Sequence, residues 1–88
     1  MITIKISGHI EDPKTLSARL DIIDAVGNVV REGIEANFVD KENALTIVWD
    51  LRNRNNRQVG PAPYCGVIVV KNNGVVIQQK QIILGVKY

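Results

Sequence analysis

The chain carries one histidine, His9, and one cysteine, Cys65, so any nucleophile–base pair would have to be assembled from these two, or from His9 and a serine. Such chemistry needs a nucleophile, a base within hydrogen-bond reach and a third group to orient the base. Nothing in the spacing suggests it. His9 falls at a strand end beside Glu11 and Asp12, which reads as a surface or strand-edge position. Cys65 follows Tyr64 inside a strand with no cationic neighbour to lower its pKa, which reads as a small buried or half-buried hydrophobe. One cysteine also forbids an intramolecular disulfide and any cysteine-based metal cluster. There is no glycine-rich phosphate loop leading into a helix, and no carboxylate pair with a positional argument. The expectation is a non-catalytic protein without a cofactor.

The densest polar stretch is Asp50-Leu51-Arg52-Asn53-Arg54-Asn55-Asn56-Arg57-Gln58. Asn and Asp side chains bond their own backbone in turns, so this is a loop. Its oxygens invite a calcium reading. A calcium loop, however, wants acidic oxygens at alternate positions, a mid-loop glycine and a terminal glutamate. Here there is one carboxylate, with Arg52, Arg54 and Arg57 interleaved to repel a cation. Those three arginines are instead a candidate binding loop for an acidic ligand. A carbohydrate-stacking face cannot be built from Trp49, Tyr64, Tyr88 and Phe38, the whole aromatic set, because two of them fall on inward faces.

The elements that must position these residues are strands. Valine and isoleucine each occur 12 times, against 5 leucines and 5 alanines. β-Branched side chains lose χ1 freedom against a helical turn and pack well on a pleated surface. Ile2, Ile4 and Ile6 alternate with polar residues, as do Leu16, Ala18, Leu20 and Ile22, and the period of two marks half-buried strands. Gly8 and the run to Pro13 break the first strand from the second. Asp24 to Asn28 reads as a hairpin turn returning through Val29–Arg31, with Gly33 a bend or bulge. A short strand covers Ala36–Val39, and Lys41–Asn43 makes a turn. Leu45, Ile47 and Trp49 then share one face. Gly60 to Pro63 is too stiff for a central strand. Tyr64–Lys71 and Val75–Lys87 flank Asn73-Gly74, a type I′ hairpin signal. The sum is an all-β protein, an antiparallel β-sandwich of about seven strands, immunoglobulin- or fibronectin-III-like.

A net charge of +2 is too small to imply a nucleic-acid partner. No apolar run approaches the ~20 residues of a membrane span. The first residues lack the basic and apolar regions of a signal peptide. The 88 residues suit a single domain spanning residues 1–88, read as taken from the C-terminal end of a larger protein. Val48, Val67 and Val69 are apolar on faces that should be polar, and if exposed together they would form a docking patch.

The run Leu45 to Gly60, with Trp49, Asp50, Arg52, Asn53 and Val59, followed by Tyr64, resembles the immunoglobulin-like domain of the flagellar hook-capping protein family. Related modules include the C-terminal sorting domains of type IX secretion. The segment Ile22 to Val30 is similar to that family's Asp/Gly hairpin, so the resemblance covers roughly residues 16–87. Leu51 and Asn56 stand where the family has glycine, and Pro61-Ala62-Pro63 replaces its tight turn. The motif is structural: Trp49 supplies a large buried ring, Asp50 accepts loop amides, and Tyr64 ties its hydroxyl to backbone across a corner. The resemblance implies an accessory module of an exported bacterial protein, at the cell surface or outside the cell. Its expected partners are parent-protein domains, neighbouring subunits or secretion machinery. A sorting or anchoring signal, and a ligand-binding module using the Arg52–Arg57 loop, are the competing expectations.

Overall fold

The computed structural model describes residues 1–7 and 14–88; His9 and the Gly8–Pro13 break lie outside them. The strands are β1 (Ile2–Ser7), β2 (Leu16–Ile23), β3 (Val29–Glu35), β4 (Asn37–Val39), β5 (Ala44–Trp49), β6 (Ala62–Asn72) and β7 (Val75–Val86). They form two antiparallel sheets, ordered β1-β5-β4 and β3-β2-β6-β7, packed face to face as a β-sandwich.

The alternating residues meet between the sheets. Leu20, Ile22, Ile47 and Trp49 are the largest fully buried side chains, joined by Leu45, Ile68, Val70, Leu84 and Val86. Burial of a single such side chain stabilises by about 1.5–3 kcal/mol, and this row of them is the main force holding the sheets together. Gly66 lies buried in the same layer, where a Cβ would sit 3.0 Å from Leu20 and 3.1 Å from Leu84.

The turns follow local chemistry. Asn73 and Gly74 both hold positive φ, as a type I′ turn requires, and connect the directly paired Asn72 and Val75. Asp24 closes the β2–β3 turn by accepting the amides of Val26 and Asn28 at 3.1 and 2.8 Å, while Gly27 takes the positive φ. At Gly33 two residues of β3 face one of β2, and its amide donates to the Asp21 carboxylate at 2.9 Å; this is a bulge with glycine in the left-handed conformation. At Ala36 the chain leaves one sheet for the other, so that β3 and β4 flank the same corner. A 3₁₀ turn, Asp40–Glu42, then leads into β5.

β6 begins at Ala62 and takes Pro63 into the strand, earlier than the stiffness of that segment suggests. β2 has already ended opposite Cys65, so Pro63 pairs with Gly85 on one side and faces no described strand on the other. A missing amide costs nothing in the ladder there.

Candidate functional site

The end of β5 and the start of β6 gather the residues of the structural motif. Trp49 is fully buried, and its indole N–H donates to the Arg52 carbonyl at 3.0 Å. The Tyr64 hydroxyl donates to the Gly60 carbonyl four residues back at 2.7 Å, a tyrosine corner, and the Tyr88 hydroxyl donates to Val59 O at 2.7 Å. Asp50 accepts the Arg52 amide at 3.1 Å and the Arg31 guanidinium at 3.2 Å. Asn53 Oδ1 accepts the amides of Asn55 and Arg57 at 2.9 and 3.0 Å. Buried Val59 closes the loop by donating its amide to Leu51 O at 2.9 Å. Leu51 and Asn56, the two positions where the resembled family has glycine, both hold φ of +63°. Each polar group of the motif therefore bonds backbone and holds the corner.

The three arginines do not converge. Arg52 turns back to donate to Asn56 O at 2.9 Å within its own loop. Arg54 lines an open concavity of about 410 Å³ between this loop and the β2–β3 turn, together with Asp24, Asn28, Asn55 and Tyr64. Arg54 and Arg31 also line a second, of about 340 Å³, from which Arg57 is absent. Among the described residues no group of three or more His, Cys, Asp or Glu comes together to hold a metal ion. No helix there is long and apolar enough to cross a membrane.

Among the described residues, two ionisations are shifted. Asp24 is held below the usual carboxylate range, chiefly by the Asn28 amide; desolvation opposes this, and the Asn28 side chain and the amides of Val26 and Gly27 add to it. Tyr64 is pushed up, first by burial and then by the Tyr88 and Asp24 charges nearby.

The expected patch of Val48, Val67 and Val69 does not exist. Val48 points out from the three-stranded sheet, whereas Val67 and Val69 lie on the outer face of the other. Val69 is buried and Val67 half-buried, in rows between Arg19 and Gln79 and between Asp21 and Gln81. A one-residue alternation places a side chain inside or outside its own sheet, and says nothing about which sheet that is.

A different apolar row occupies the outer face of the four-stranded sheet. Val29, Ile23, Cys65 and Ile83 lie side by side, one from each strand, with Val29 41% and Ile83 75% exposed. Cys65 is a half-buried free thiol within it. Sequence reasoning passed over this row, although the doublets Ile22-Ile23, Val29-Val30 and Ile82-Ile83 carry the signal: two adjacent apolar residues on a strand must present one side chain to each face.

No protein-family model, curated protein or solved structure matches the chain.

Proposed function

We propose that the chain is a non-catalytic docking module, an accessory β-sandwich of an exported bacterial protein that spaces, assembles or docks its parent. The observation that carries this reading is the aliphatic row Val29–Ile23–Cys65–Ile83, which crosses all four strands of a sheet at one level. Strands sit roughly 4.8 Å apart, so the row runs about 14 Å across a rigid surface. Isolated exposed aliphatics are ordinary on a protein surface, whereas a contiguous band marks a place where another surface is covered. Support also comes from the polar groups best suited to chemistry, Asp50, Asn53 and Tyr64, which serve the frame of the fold. The resemblance to the hook-capping domain points the same way, towards assembly against neighbouring subunits.

Sedimentation of the module with the domain that adjoins it in its parent protein tests this reading. Complex formation, or self-association, is expected, and Ile83→Lys with Val29→Lys should abolish it while leaving the melting temperature within a few degrees. A strictly inert monomer, or an association indifferent to both lysines, overturns the proposal.

A further inference from the structure

The β6–β7 hairpin ends in the turn Asn73-Gly74, and the ladder leading to it is short. A register shift between Val70 and Lys71 separates the last two pairs, Lys71 with Val76 and Asn72 with Val75, from the rest of the two strands. Asn72 to Val76 are all exposed. With few buried contacts to hold it, this tip opens at lower cost than the core strands. Asn73 holds a φ of +52° and Gly74 one of +79°.

An asparagine followed by glycine carries its own chemistry. The side-chain carbonyl carbon of the first stands close to the main-chain nitrogen of the second, and a residue without a Cβ leaves the approach open. Apart from the neighbours of Gly74 in the chain, no described atom lies within 4 Å of where its Cβ would be. Hydrogen bonding decides which nitrogens are free to attack. Arg54 N donates to Val30 O at 2.8 Å, Asn56 N to Asn53 O at 2.9 Å and Asn73 N to Thr15 O at 2.8 Å. Arg57 N donates to Asn53 Oδ1 at 3.0 Å. The amides that follow Asn53, Asn55, Asn56 and Asn72 are therefore all engaged. The Gly74 amide has no hydrogen-bond partner among the described residues. Asn28 and Asn43 lead into β3 and β5, and Asn37 lies in β4, each before a residue that has a side chain.

We infer that Asn73 is a self-modification site, where the side-chain amide is lost to water through a cyclic imide formed with Gly74. Hydroxide takes the Gly74 amide proton, and the nitrogen attacks the side-chain carbonyl carbon of Asn73. A new C–N bond forms, the bond to the side-chain nitrogen breaks, and that nitrogen leaves as ammonia with a proton from water. The attack asks Asn73 to turn about its Cα–C bond, out of the type I′ geometry, which the short ladder permits. One water then opens the imide at either carbonyl. Opening at one returns aspartate; opening at the other gives isoaspartate, whose main chain runs through the former side chain and is one atom longer. Water is the only co-reactant, and no electrons change hands. Either product puts a carboxylate at the tip and takes the formal net charge from +2 to +1. The longer isoaspartate backbone falls between the directly paired Asn72 and Val75, so the two pairs beyond the register shift separate while those from Val70 back to Ala62 persist. Ile83 lies in the persisting part, so the inference stands apart from the docking reading above.

The test holds the folded chain in mildly alkaline buffer at physiological temperature and follows it by ion exchange and peptide mass mapping. A species with one positive charge fewer should accumulate, with the mass gain confined to the peptide that contains Asn73. Its isoaspartate is counted by labelling with an isoaspartyl methyltransferase. The rate should rise in proportion to hydroxide, because the Gly74 nitrogen attacks only once deprotonated. In the isoaspartate fraction, hydrogen exchange should show lost protection at Asn72 and Val75 and retained protection at Tyr64 and Leu84. Gly74→Ala should slow the conversion. Asn73→Asp supplies the charge without the longer backbone and should keep the protection at Val75, so the two effects are read separately. Asn73 left intact while another asparagine converts overturns the assignment. Conversion confined to the urea-unfolded chain overturns it as well, since the folded turn would then block the attack. A rate indifferent to pH or to Gly74→Ala overturns attack by the Gly74 nitrogen.

Discussion

The Tyr64 ring meets the Trp49 indole edge-on, with centroids 5.7 Å apart and planes at 80°. The positive rim of one ring therefore faces the π cloud of the other, an arrangement that adds about 0.5–1.5 kcal/mol beyond simple burial. Both residues also donate a hydrogen bond to the chain between them, Trp49 to Arg52 O and Tyr64 to Gly60 O. The pair closes the β5–β6 crossover at both of its ends.

Trp49→Ala should cost about 3–5 kcal/mol in urea unfolding, as large-to-small substitutions in a packed core do. A loss below about 1 kcal/mol would mean that the inward face of β5 is misassigned. Tyr64→Phe keeps the ring and removes the hydroxyl, and should cost about 1 kcal/mol. A double-mutant cycle of Trp49→Ala with Tyr64→Ala, which removes the ring, should return a coupling of about 0.5–1.5 kcal/mol, the edge-to-face value.

Gly66→Ala should destabilise by about 1–3 kcal/mol, the usual cost of overpacking a core. The added methyl meets Leu20, Leu84 and Ile82 at 3.0, 3.1 and 3.2 Å, so three side chains from three strands must give way together. Thermal unfolding measures the loss, and an unchanged midpoint would show that the layer has slack.

Thr46→Val is expected to be neutral or to stabilise by up to about 1–2 kcal/mol. Thr46 Oγ1, on the outer face of the three-stranded sheet, is buried without a hydrogen-bond partner among the described residues. Lys5 on β1 and Glu42 after β4 join at 2.9 Å, an ion pair that spans β5. Valine keeps the shape and the β preference and removes the unpaired oxygen. Destabilisation in a chemical melt would imply that the hydroxyl has a partner after all.

Stability should depend on pH at both extremes. Asp24 is held below its ordinary 3.8 in the folded chain, so the unfolded state takes up its proton first as pH falls. The stability it contributes is present above about pH 3.8 and is lost below it, as the folded carboxyl in turn protonates. Tyr64 is raised above its ordinary 10.0, so its contribution is present below that pH and is lost as pH rises through the folded value. Melting temperature followed from neutral to acid should fall less steeply in Asp24→Asn than in the parent. Equal slopes would remove Asp24 from the acid limb.

The strands were legible because alternation is a local property. Ile2-Ile4-Ile6, Leu16 to Ile22 and Leu45-Ile47-Trp49 each declare an inward face without reference to any partner. The hairpin at Asn73-Gly74 was equally local, since only a few residues tolerate two consecutive positive φ angles. The Asp50–Val59 loop and the Tyr64 corner were readable for a related reason: their hydrogen bonds join residues close in sequence.

What the tertiary structure alone decided was which strands lie side by side and at what level. Val48 and Val69 look equivalent in sequence, yet they stand on opposite outer surfaces because β5 and β6 belong to different sheets. Val29, Ile23, Cys65 and Ile83 come from four separate segments and form a row only through registers set across the whole sheet. Ile4 and Ile6 of β1 likewise line one groove with Ile68 and Val70 of β6 and Ile82 of β7 only because the two sheets face each other. Side-chain alternation is written into each strand, whereas strand neighbours and register are settled by packing between distant parts of the chain.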